Sequence, residues 1–487
     1  MEQDEQFQQR LEKIEKLKAL GVPAYEKSFT RTHTAARIAA DFEALTASGE
    51  KVTVAGRMKT VRKMGKVSFC DIHDDSGKIQ AYVKVDSLGA EKYEVFKLVD
   101  IGDIIGITGA VFKTRTGEIT ILADDLRLLT KSLRELPEKW HGLRDVEIRY
   151  RRRYLDLIAN PEVKKVFETR IRIVRRIREF LYGRGFCEVE TPMMQSIPGG
   201  AAARPFTTHH NALDLGLFLR VAPELYLKRL AVGGFERIFE INRNFRNEGI
   251  STKHNPEFTM LELYQAYTDY HGMMEITESL IADAAQTALG TTKVTYQEKE
   301  IDLTPPWKRL SWLDSFKEFA ALDFDLNADA DALDAVCKSR KIDAEPGLNA
   351  GQLMDKLFGE LVEPHLVQPT FIFDYPTEIS PLARQRDDNP ALTERFELYI
   401  NSFEVANAFT ELTDPTEQLR RLERQSALRD AGDAEAHRID YDFVRALQYG
   451  LPPTGGLGIG IDRLVMLLTD SASIRDVIFF PLLRPEE

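Results

Sequence analysis

The sequence predicts a multidomain chain, in which a small five-stranded β-barrel precedes a larger α+β domain with an antiparallel sheet flanked by helices. The chain has 487 residues, more than one hydrophobic core normally serves. Five short strand-like runs follow one another between residues 51 and 134, separated by turn signals such as DDSGK and TRTGE. Beyond residue 160, strands and helices alternate irregularly, and hairpin signals outnumber strand–helix–strand signals.

The amino-acid composition excludes several classes of protein. Apolar residues make up 43% of the chain and charged residues 29%, as in ordinary globular proteins. The formal net charge of −12 argues against a protein that coats nucleic acid in general. No apolar run is long enough to cross a membrane, so we expect a cytoplasmic protein without a membrane partner. The three cysteines lie far apart in the chain, so we expect no zinc site.

Four segments are predicted along the chain. Residues 1–50 form an N-terminal helical segment, in which apolar residues recur at helical spacing. Residues 51–134 form the barrel, and residues 135–159 form a linker rich in proline and charge. Residues 160–487 form the α+β domain, which begins with a long helix and carries an insertion with helices at about 280–370.

The barrel has the strand count and the helical insert of an oligonucleotide-binding (OB) fold, although other small barrels share them. Lysine and arginine outnumber acidic residues in this segment. Local positive charge fits a specific contact with a polyanion. It fits an ordinary charged surface almost as well, so the charge alone does not decide the role of the barrel.

The run FTMLELYQAY alternates like a strand. Period two places Phe258, Met260, Glu262 and Tyr264 on one face, while the residues between them face the core. An aromatic ring, a carboxylate and a phenol on one face form either the solvent side of a sheet or the floor of a pocket.

The run RFELYINSFEVAN predicts a hairpin with a two-residue turn at Asn401–Ser402. This turn would bring Glu397 and Glu404 onto one surface, diagonally placed at roughly 7–8 Å. Two carboxylates without a nearby base favour a divalent cation such as Mg²⁺, although a solvated acidic edge is the alternative. The register would pair Ile400 with Phe403, Tyr399 with Glu404 and Glu397 with Ala406.

The run GLGIGIDRLVMLL predicts a strand that leads directly into a helix. Arg463 lies in the first turn of that helix, where the helix dipole disfavours a cation unless a phosphate or a stacked purine offsets the cost. Gly456, Gly458 and Gly460 would let a flat ring approach the backbone. A purely structural turn remains the alternative.

Three motifs resemble, in order, the signature motifs of class II aminoacyl-tRNA synthetases: GFCEVETPMM, NFRNE with HNPEFTMLE, and GLGIGIDRLVMLL. The blocks GGAAARPF, APELYLKRL and EVANAFTEL resemble the lysyl-tRNA synthetases of bacterial type, in subclass IIb. The resemblance runs from the barrel to the C-terminus. It implies a lysine–tRNA ligase that activates L-lysine with ATP to lysyl-adenylate and transfers lysine to the 3′-terminal adenosine of tRNA(Lys).

The resemblance implies roles at an ATP site. Arg246 would grip the α-phosphate and the amino-acid carboxylate, and Arg463 would cover ATP, so both are predicted catalytic residues. Phe258 would stack on the other side of adenine, while Glu397 and Glu404 would bind Mg²⁺ together with ATP. The remaining implied ATP contacts are Glu248, His254 and Gly460.

The resemblance also implies a lysine site. Glu411 and Tyr264 would hold the ε-ammonium group, and Glu224 would hold the α-amino group. A buried carboxylate without a partner is costly, so an uncharged side chain would be rejected. Gly200 would belong to a flap of small residues. The remaining implied lysine contacts are Glu262, Asn407 and Phe409.

Regular alternation conflicts with these implied roles. In an unbroken strand, Asn407, Phe409 and Glu411 would face away from Glu404. We therefore predict a β-bulge or a sharp twist near residues 404–407, which a regular strand would contradict.

In the barrel, the resemblance implies anticodon contacts for Arg57, Phe69 and Gln80. Phe69 would stack on a base, and Gln80 would pair with a uracil edge. The strand pattern by itself slightly favours a core position for Phe69.

The resemblance implies a homodimer with the first motif at its interface. Three alternatives stay open: an aspartyl- or asparaginyl-type relative, an enzyme that attaches lysine to a protein, and a catalytically inactive RNA-binding factor on a synthetase scaffold. Glu224 and Glu411 argue against the first, and the barrel argues against the second. The retention of Arg246 and Arg463 argues against the third.

Overall fold

The computed structural model of the chain describes residues 5–137, 143–430 and 438–486. The chain divides into two compact units, Met1–Arg144 and Asp145–Glu487. Within the predicted linker, residues 138–142 lie outside the described residues. The later part of that segment forms two helices of the second unit.

The first unit is a closed five-stranded barrel with strand order β1-β2-β3-β5-β4. The predicted barrel and its helical insert between the third and fourth strands are therefore confirmed. The strands are β1 (Lys51–Met64), β2 (Val67–His73), β3 (Lys78–Lys84), β4 (Ile104–Lys113) and β5 (Ile119–Thr130). The helices are α1 (Glu5–Ala19), α2 (Ala35–Ala40), α3 (Phe42–Ser48), α4 (Val85–Leu88) and α5 (Ala90–Lys97).

The second unit is built on an eight-stranded sheet in the order β14-β15-β16-β17-β18-β11-β10-β6. The predicted antiparallel sheet is confirmed for the strands from β15 to β10, and parallel pairing of β14 and β6 at the two edges makes the whole sheet mixed. Its strands are β6 (Cys187–Glu188), β10 (Arg237–Phe245), β11 (Glu257–Ala266), β14 (Lys308–Ser311), β15 (Thr370–Pro376), β16 (Leu392–Ile400), β17 (Phe403–Thr410) and β18 (Thr454–Gly460). Smaller sheets contain β7 (Met194–Gln195), β8 (Thr207–His210), β9 (Leu215–Leu219), β12 (Lys293–Tyr296) and β13 (Lys299–Asp302).

Helices cover one face of this sheet. Apolar residues of α8, α10 and α16 pack with the inward side chains of the central strands into the main core. The predicted long helix is α8, which begins with Pro161 in its first turn and ends before Gly183. The helices of the unit are α6 (Val146–Arg151), α7 (Arg153–Ala159), α8 (Pro161–Tyr182), α9 (Glu224–Val232), α10 (Tyr270–Leu289), α11 (Trp312–Ala320), α12 (Ala330–Ser339), α13 (Ala350–Leu361), α14 (Pro415–Asp430), α15 (Tyr441–Gln448), α16 (Ile461–Leu468) and α17 (Ile474–Val477).

The segment between β14 and β15 carries α11, α12 and α13. These helices have a separate apolar cluster around the fully buried Trp312, and the cluster packs on Ile372, Tyr375 and Tyr399 of the sheet edge. On the sheet face opposite the main core, residues of β11, β16, β17 and β18 line a cavity. Among the described residues, no helix combines the length and the apolar character needed to span a membrane.

Candidate active site

The sheet face opposite the main core is the floor of a cavity of about 440 Å³. Phe258, Met260, Glu262 and Tyr264 of β11 all line it, whereas the intervening Leu261 and Leu263 are fully buried in the core. Thr259 also lines the cavity, so the prediction that all intervening residues face the core is wrong at this one position. The alternating run is therefore the floor of a pocket, not the solvent side of a sheet. Period two alone produces this division, because successive side chains of a strand point to opposite faces.

The glycines of β18 provide the space over this floor. Gly456 pairs with Tyr264, and a Cβ atom at Gly456 would lie 2.1 Å from Oε1 of Glu411 and 2.7 Å from the Tyr264 ring. Side chains cannot approach so closely, so this position requires glycine. At Gly460, in contrast, the nearest atom would lie 3.8 Å away, an ordinary contact.

Arg463 is held in place at the start of α16. Its Nη1 donates to the backbone carbonyl of Glu404 at 2.7 Å and lies 3.3 Å from Oε2 of the same residue. Its Nη2 lies 3.1 Å from Nε2 of His254, whose pKa is lowered by burial and by this neighbouring cation. The acidic side chain offsets the unfavourable helix dipole that the sequence indicated.

A second guanidinium faces the same cavity. The Cζ atom of Arg246 lies 5.1 Å from the centroid of the Phe258 ring, which is within cation–π distance. Nε of Arg246 is buried and has no hydrogen-bond partner among the described residues. Glu248 and His254 also line the cavity near these groups. Buried guanidinium N–H groups without partners are suited to an anionic ligand.

The predicted bulge is confirmed in the β16–β17 hairpin. Tyr399 pairs with Glu404 but Leu398 pairs with Ala406, so Val405 is the extra residue. The predicted turn is also confirmed, because Asn401 and Ser402 have φ values of 49° and 60°. The predicted pairing of Glu397 with Ala406 is wrong. Glu397 pairs with Asn407 because the bulge moves the register by one residue.

The expectation that the two hairpin carboxylates have no basic partner is also wrong. Arg395 contacts Oε1 of Glu397, and Arg463 contacts Glu404. Tyr399 and Tyr375 donate hydrogen bonds to Oε2 of Glu397 at 2.6 and 2.8 Å. Burial still raises the pKa of Glu397, with Arg395 opposing the rise and Glu404 adding to it.

Sequence reasoning missed Arg395, which connects several predicted site residues. Besides contacting Glu397, it donates from Nε to the side-chain oxygen of Asn407 at 3.1 Å and from Nη1 to the Ile379 carbonyl at 2.9 Å. Its position two residues before Glu397 in a strand was the available signal, because period two places both on one face. Within the described residues, no group of three or more His, Cys, Asp or Glu side chains is arranged to hold a metal ion.

The other end of the cavity is acidic. Glu224 begins α9 and lines the cavity together with Glu262. Burial raises the pKa of Glu262 to about 8, and the negative charge of Glu224 adds to this effect. Gly200 packs against Glu224 with φ of +91°, and a Cβ there would lie 2.8 Å from the Glu224 Cβ. Asn407 and Phe409 complete this part of the lining.

Glu411 lies behind the cavity wall. It is 1% exposed, and its Oε1 is next to Gly456, with no hydrogen-bond partner among the described residues. Its Oε2 contacts Nζ of Lys228, which also lies 2.6 Å from Oε1 of Glu224. Sequence reasoning missed Lys228, although its spacing of four residues from Glu224 in a helix is typical of an ion pair.

On the barrel, Arg57, Phe69 and Gln80 lie on neighbouring strands β1, β2 and β3. Phe69 is half-buried, lies outside the core cluster of the unit and stacks on Tyr82 at 4.7 Å between ring centroids. Its partial exposure favours a stacking surface over a core position. Arg57 donates to the Gly102 carbonyl at 2.7 Å, and the buried Gln80 accepts a hydrogen bond from Thr120.

Comparisons with known proteins agree with this arrangement. A family model described as "tRNA synthetases class II (D, K and N)" matches residues 145–484, and one described as "OB-fold nucleic acid binding domain" matches residues 52–129. These matches define the class: a class II tRNA synthetase with an OB-fold domain at its N-terminal end.

Individual relatives identify the family within this class. The chain is 60% identical over 480 residues to a lysine–tRNA ligase of Pelotomaculum thermopropionicum, which covers 98% of this chain and 94% of that protein. It is 58% identical to the enzyme of Carboxydothermus hydrogenoformans, with 98% of each chain covered. It is 51% identical to the lysine–tRNA ligase of Bacillus subtilis, and the match covers 99% of this chain and 98% of that protein. The chain therefore belongs to the lysine–tRNA ligase family.

Proposed function

We propose that this chain joins L-lysine to tRNA(Lys) at the expense of ATP, in the cavity above β11 and β18. One observation carries the proposal: the guanidinium group of Arg463 and the buried carboxylates of Glu224 and Glu411 lie at different ends of one cavity. Arg463 follows Gly460, which pairs with Met260, whereas Glu411 lies behind Gly456, which pairs with Tyr264. These pairs are four residues apart, or about 13 Å along a strand. A nucleotide and an amino acid fit end to end over that distance.

The first step is the attack of the lysine carboxylate on the α-phosphorus of ATP. A carboxylate oxygen–phosphorus bond forms, and the bond from phosphorus to the bridging oxygen breaks, giving lysyl-adenylate and pyrophosphate. The nucleophile is already ionised, so no general base is needed. Arg246 orients the carboxylate and the α-phosphate, and Arg463 covers the nucleotide opposite Phe258. The hydrogen bonds from Arg463 to Glu404 hold its guanidinium in place before ATP arrives.

Glu397 and Glu404 are the residues that would hold Mg²⁺ together with ATP. Both carboxylates line the cavity, and a cation would relieve the repulsion that Glu404 exerts on the buried Glu397. When bound, Mg²⁺ neutralises the charge that develops on the phosphates. Glu248, His254 and Gly460 complete the nucleotide site.

Lysine lies with its side chain toward Tyr264 and Glu411, and with its α-amino group on Glu224. Glu262, Asn407, Phe409 and the flap residue Gly200 enclose it. An ammonium group at Oε1 of Glu411 would satisfy a buried oxygen that has no partner among the described residues. A neutral side chain would leave that oxygen unpaired, which disfavours its binding strongly.

In the second step, the 3′-hydroxyl of the terminal adenosine of tRNA attacks the carbonyl carbon of the adenylate. An ester bond forms, the bond from that carbon to the phosphate oxygen breaks, and AMP and the hydroxyl proton are released. The barrel selects the tRNA by contacting the anticodon through Arg57, Phe69 and Gln80. The stacked pair of Phe69 and Tyr82 supports this role, because unpaired bases stack on exposed aromatic rings.

The enzyme acts as a homodimer in the cytoplasm. Large apolar side chains near the first motif support the dimer: Ile171 and Tyr182 of α8 are exposed, and Tyr182 bonds to Glu188 of β6. Exposed apolar groups on one helix are suited to a subunit interface.

ATP–pyrophosphate exchange with each of the twenty amino acids tests the proposed function. We expect exchange with lysine alone. Exchange with aspartate or asparagine, but not lysine, would identify the related enzymes instead. An absence of exchange with retained tRNA binding would identify an inactive RNA-binding factor.

A further inference from the structure

A buried lysine of the protein itself contacts two carboxylates at the acidic end of the cavity: Glu224, which lines it, and Glu411, which lies behind its wall. Lys228 is 1% exposed and lies in the middle of α9. Its ammonium group lies 2.6 Å from Oε1 of Glu224 and contacts Oε2 of Glu411. The ring centroids of Phe409 and Phe443 lie 5.2 and 5.8 Å from it, so water is largely excluded.

Because of this contact, the two carboxylate oxygens of Glu411 have different surroundings. Oε2 forms an ion pair with Nζ of Lys228, whereas Oε1 has neither an ion pair nor a hydrogen bond among the described residues and lies against the bare backbone of Gly456. Gly456 lines the cavity, so Oε1 is the oxygen that an incoming ammonium group can reach. When both carboxylates are ionised, they and the ammonium group together carry one net negative charge, which one additional cation neutralises.

We infer that Lys228 is a positioning residue for the amino-acid substrate: it holds Oε2 of Glu411 and Oε1 of Glu224, and it leaves Oε1 of Glu411 for the substrate ammonium group. This inference rests on the proposed function, because it assumes that an amine binds at Glu411. Lys228 itself does not touch the substrate.

The electrostatics of the site agree with this geometry. Glu224, Tyr264 and Glu411 are the titratable groups that face Lys228 or its partners, with Glu262 beside them. Burial raises the pKa of Glu411, as does Glu224, and Lys228 opposes both. Burial lowers the pKa of Lys228, but the two glutamates outweigh it and raise the pKa above its ordinary value. Without Lys228, every remaining influence favours protonated Glu411, which cannot bind an ammonium group as an ion pair.

Substitution K228M tests the inference through the pH dependence of lysine binding. In ATP–pyrophosphate exchange at pH 7, we expect the KM for lysine to rise at least ~10-fold, the factor that one pKa unit represents. The KM should recover toward pH 9 as Glu411 ionises, whereas the KM for ATP should change less than about 3-fold, since the ATP contacts lie at the other end of the cavity. K228Q keeps a hydrogen-bond donor but not the charge, and the same result is expected if K228M does not fold.

Lys131 provides a matched control in the first unit. It is also buried, and it lies 2.6 and 2.8 Å from the carboxylates of Asp100 and Asp103. K131M should therefore lower thermal stability without moving the KM for lysine at any pH.

Three results would be decisive against the inference. An unchanged KM for lysine in both Lys228 variants would overturn it, as would a rise that is equal at pH 7 and pH 9, or an equal loss of lysine and ATP affinity. Failure of the wild-type chain to catalyse lysine-dependent exchange would instead overturn the proposed function, so the two failures are distinguishable.

Discussion

Glu397 lies directly opposite Asn407 across strands β16 and β17, because Val405 is an extra residue in the second strand. The bulge brings three outward-facing residues of β17 onto one side of the sheet: Glu404, Asn407 and Phe409 all line the cavity. In an unbroken strand, Glu404 would lie on the face opposite the other two. The proposed metal-binding and lysine-binding groups therefore share one cavity only because of this irregularity.

Inserting one alanine between Leu398 and Tyr399 should abolish this arrangement. The inserted residue gives Val405 a partner, so both strands alternate without a break and Glu404 turns to the face opposite Glu397 and Asn407. We expect lysine-dependent pyrophosphate exchange to fall by about 100-fold or more, as expected when site residues are misplaced. V405A is the control: it keeps the register, should cost about 2 kcal/mol of stability from lost burial, and should keep most of the exchange activity. Comparable activity in the two variants would contradict the role of the bulge.

Gly456 should tolerate no side chain. The Cβ of G456A would lie 2.1 Å from Oε1 of Glu411, so either the strand or the carboxylate must move. We expect the KM for lysine to rise by about 100-fold, equivalent to roughly 3 kcal/mol, with a much smaller effect on the KM for ATP. G359A, at a site in α13 where an added Cβ meets nothing within 4 Å, should leave exchange unchanged and raise stability by up to about 1 kcal/mol. A normal KM for lysine in G456A would show that lysine does not reach Glu411.

Phe69 should matter for tRNA and not for activation of the amino acid. F69A removes the half-buried ring that stacks on Tyr82, and a stacked base contributes roughly 1–3 kcal/mol. We expect kcat/KM for tRNA charging to fall about 10- to 100-fold, whereas lysine-dependent pyrophosphate exchange should stay at the wild-type rate. Equal losses in the two assays would contradict the prediction that the barrel serves tRNA recognition while the catalytic domain serves amino-acid activation.

Glu262 should make the stability of the substrate-free chain depend on pH. Its pKa is about 8 in the folded protein because of burial, compared with about 4.3 in an unfolded chain. Between these values the folded state retains a proton that the unfolded state has released, so this group lowers stability as pH rises, by up to about 1.4 kcal/mol per pH unit. E262Q removes the contribution, so its melting temperature relative to wild type should increase from pH 5 to pH 8. A constant difference across that range would show that Glu262 titrates normally.

Much of the site followed from local pattern. Period two placed Phe258, Met260, Glu262 and Tyr264 on one face, and all four line the cavity. The turn at Asn401–Ser402 was also predictable from residues close in the chain, whereas the need for a bulge followed from the roles that the resemblance implied for Asn407 and Glu411. The resemblance to known synthetases supplied the functional meaning of these positions, which periodicity alone could not provide.

The sequence by itself determined the order of the strands and helices, the barrel, and the face of β11 that lines the cavity, because backbone periodicity and turn geometry act over a few residues. Only the tertiary structure decided which charges meet. Lys228 contacts Glu411 from a helix far away in the chain, and Arg463 contacts His254, which lies 209 residues away in the chain. Such pairs depend on packing that brings distant segments together and excludes water. The electrostatic energy of each charged group depends on this burial and on the charges beside it.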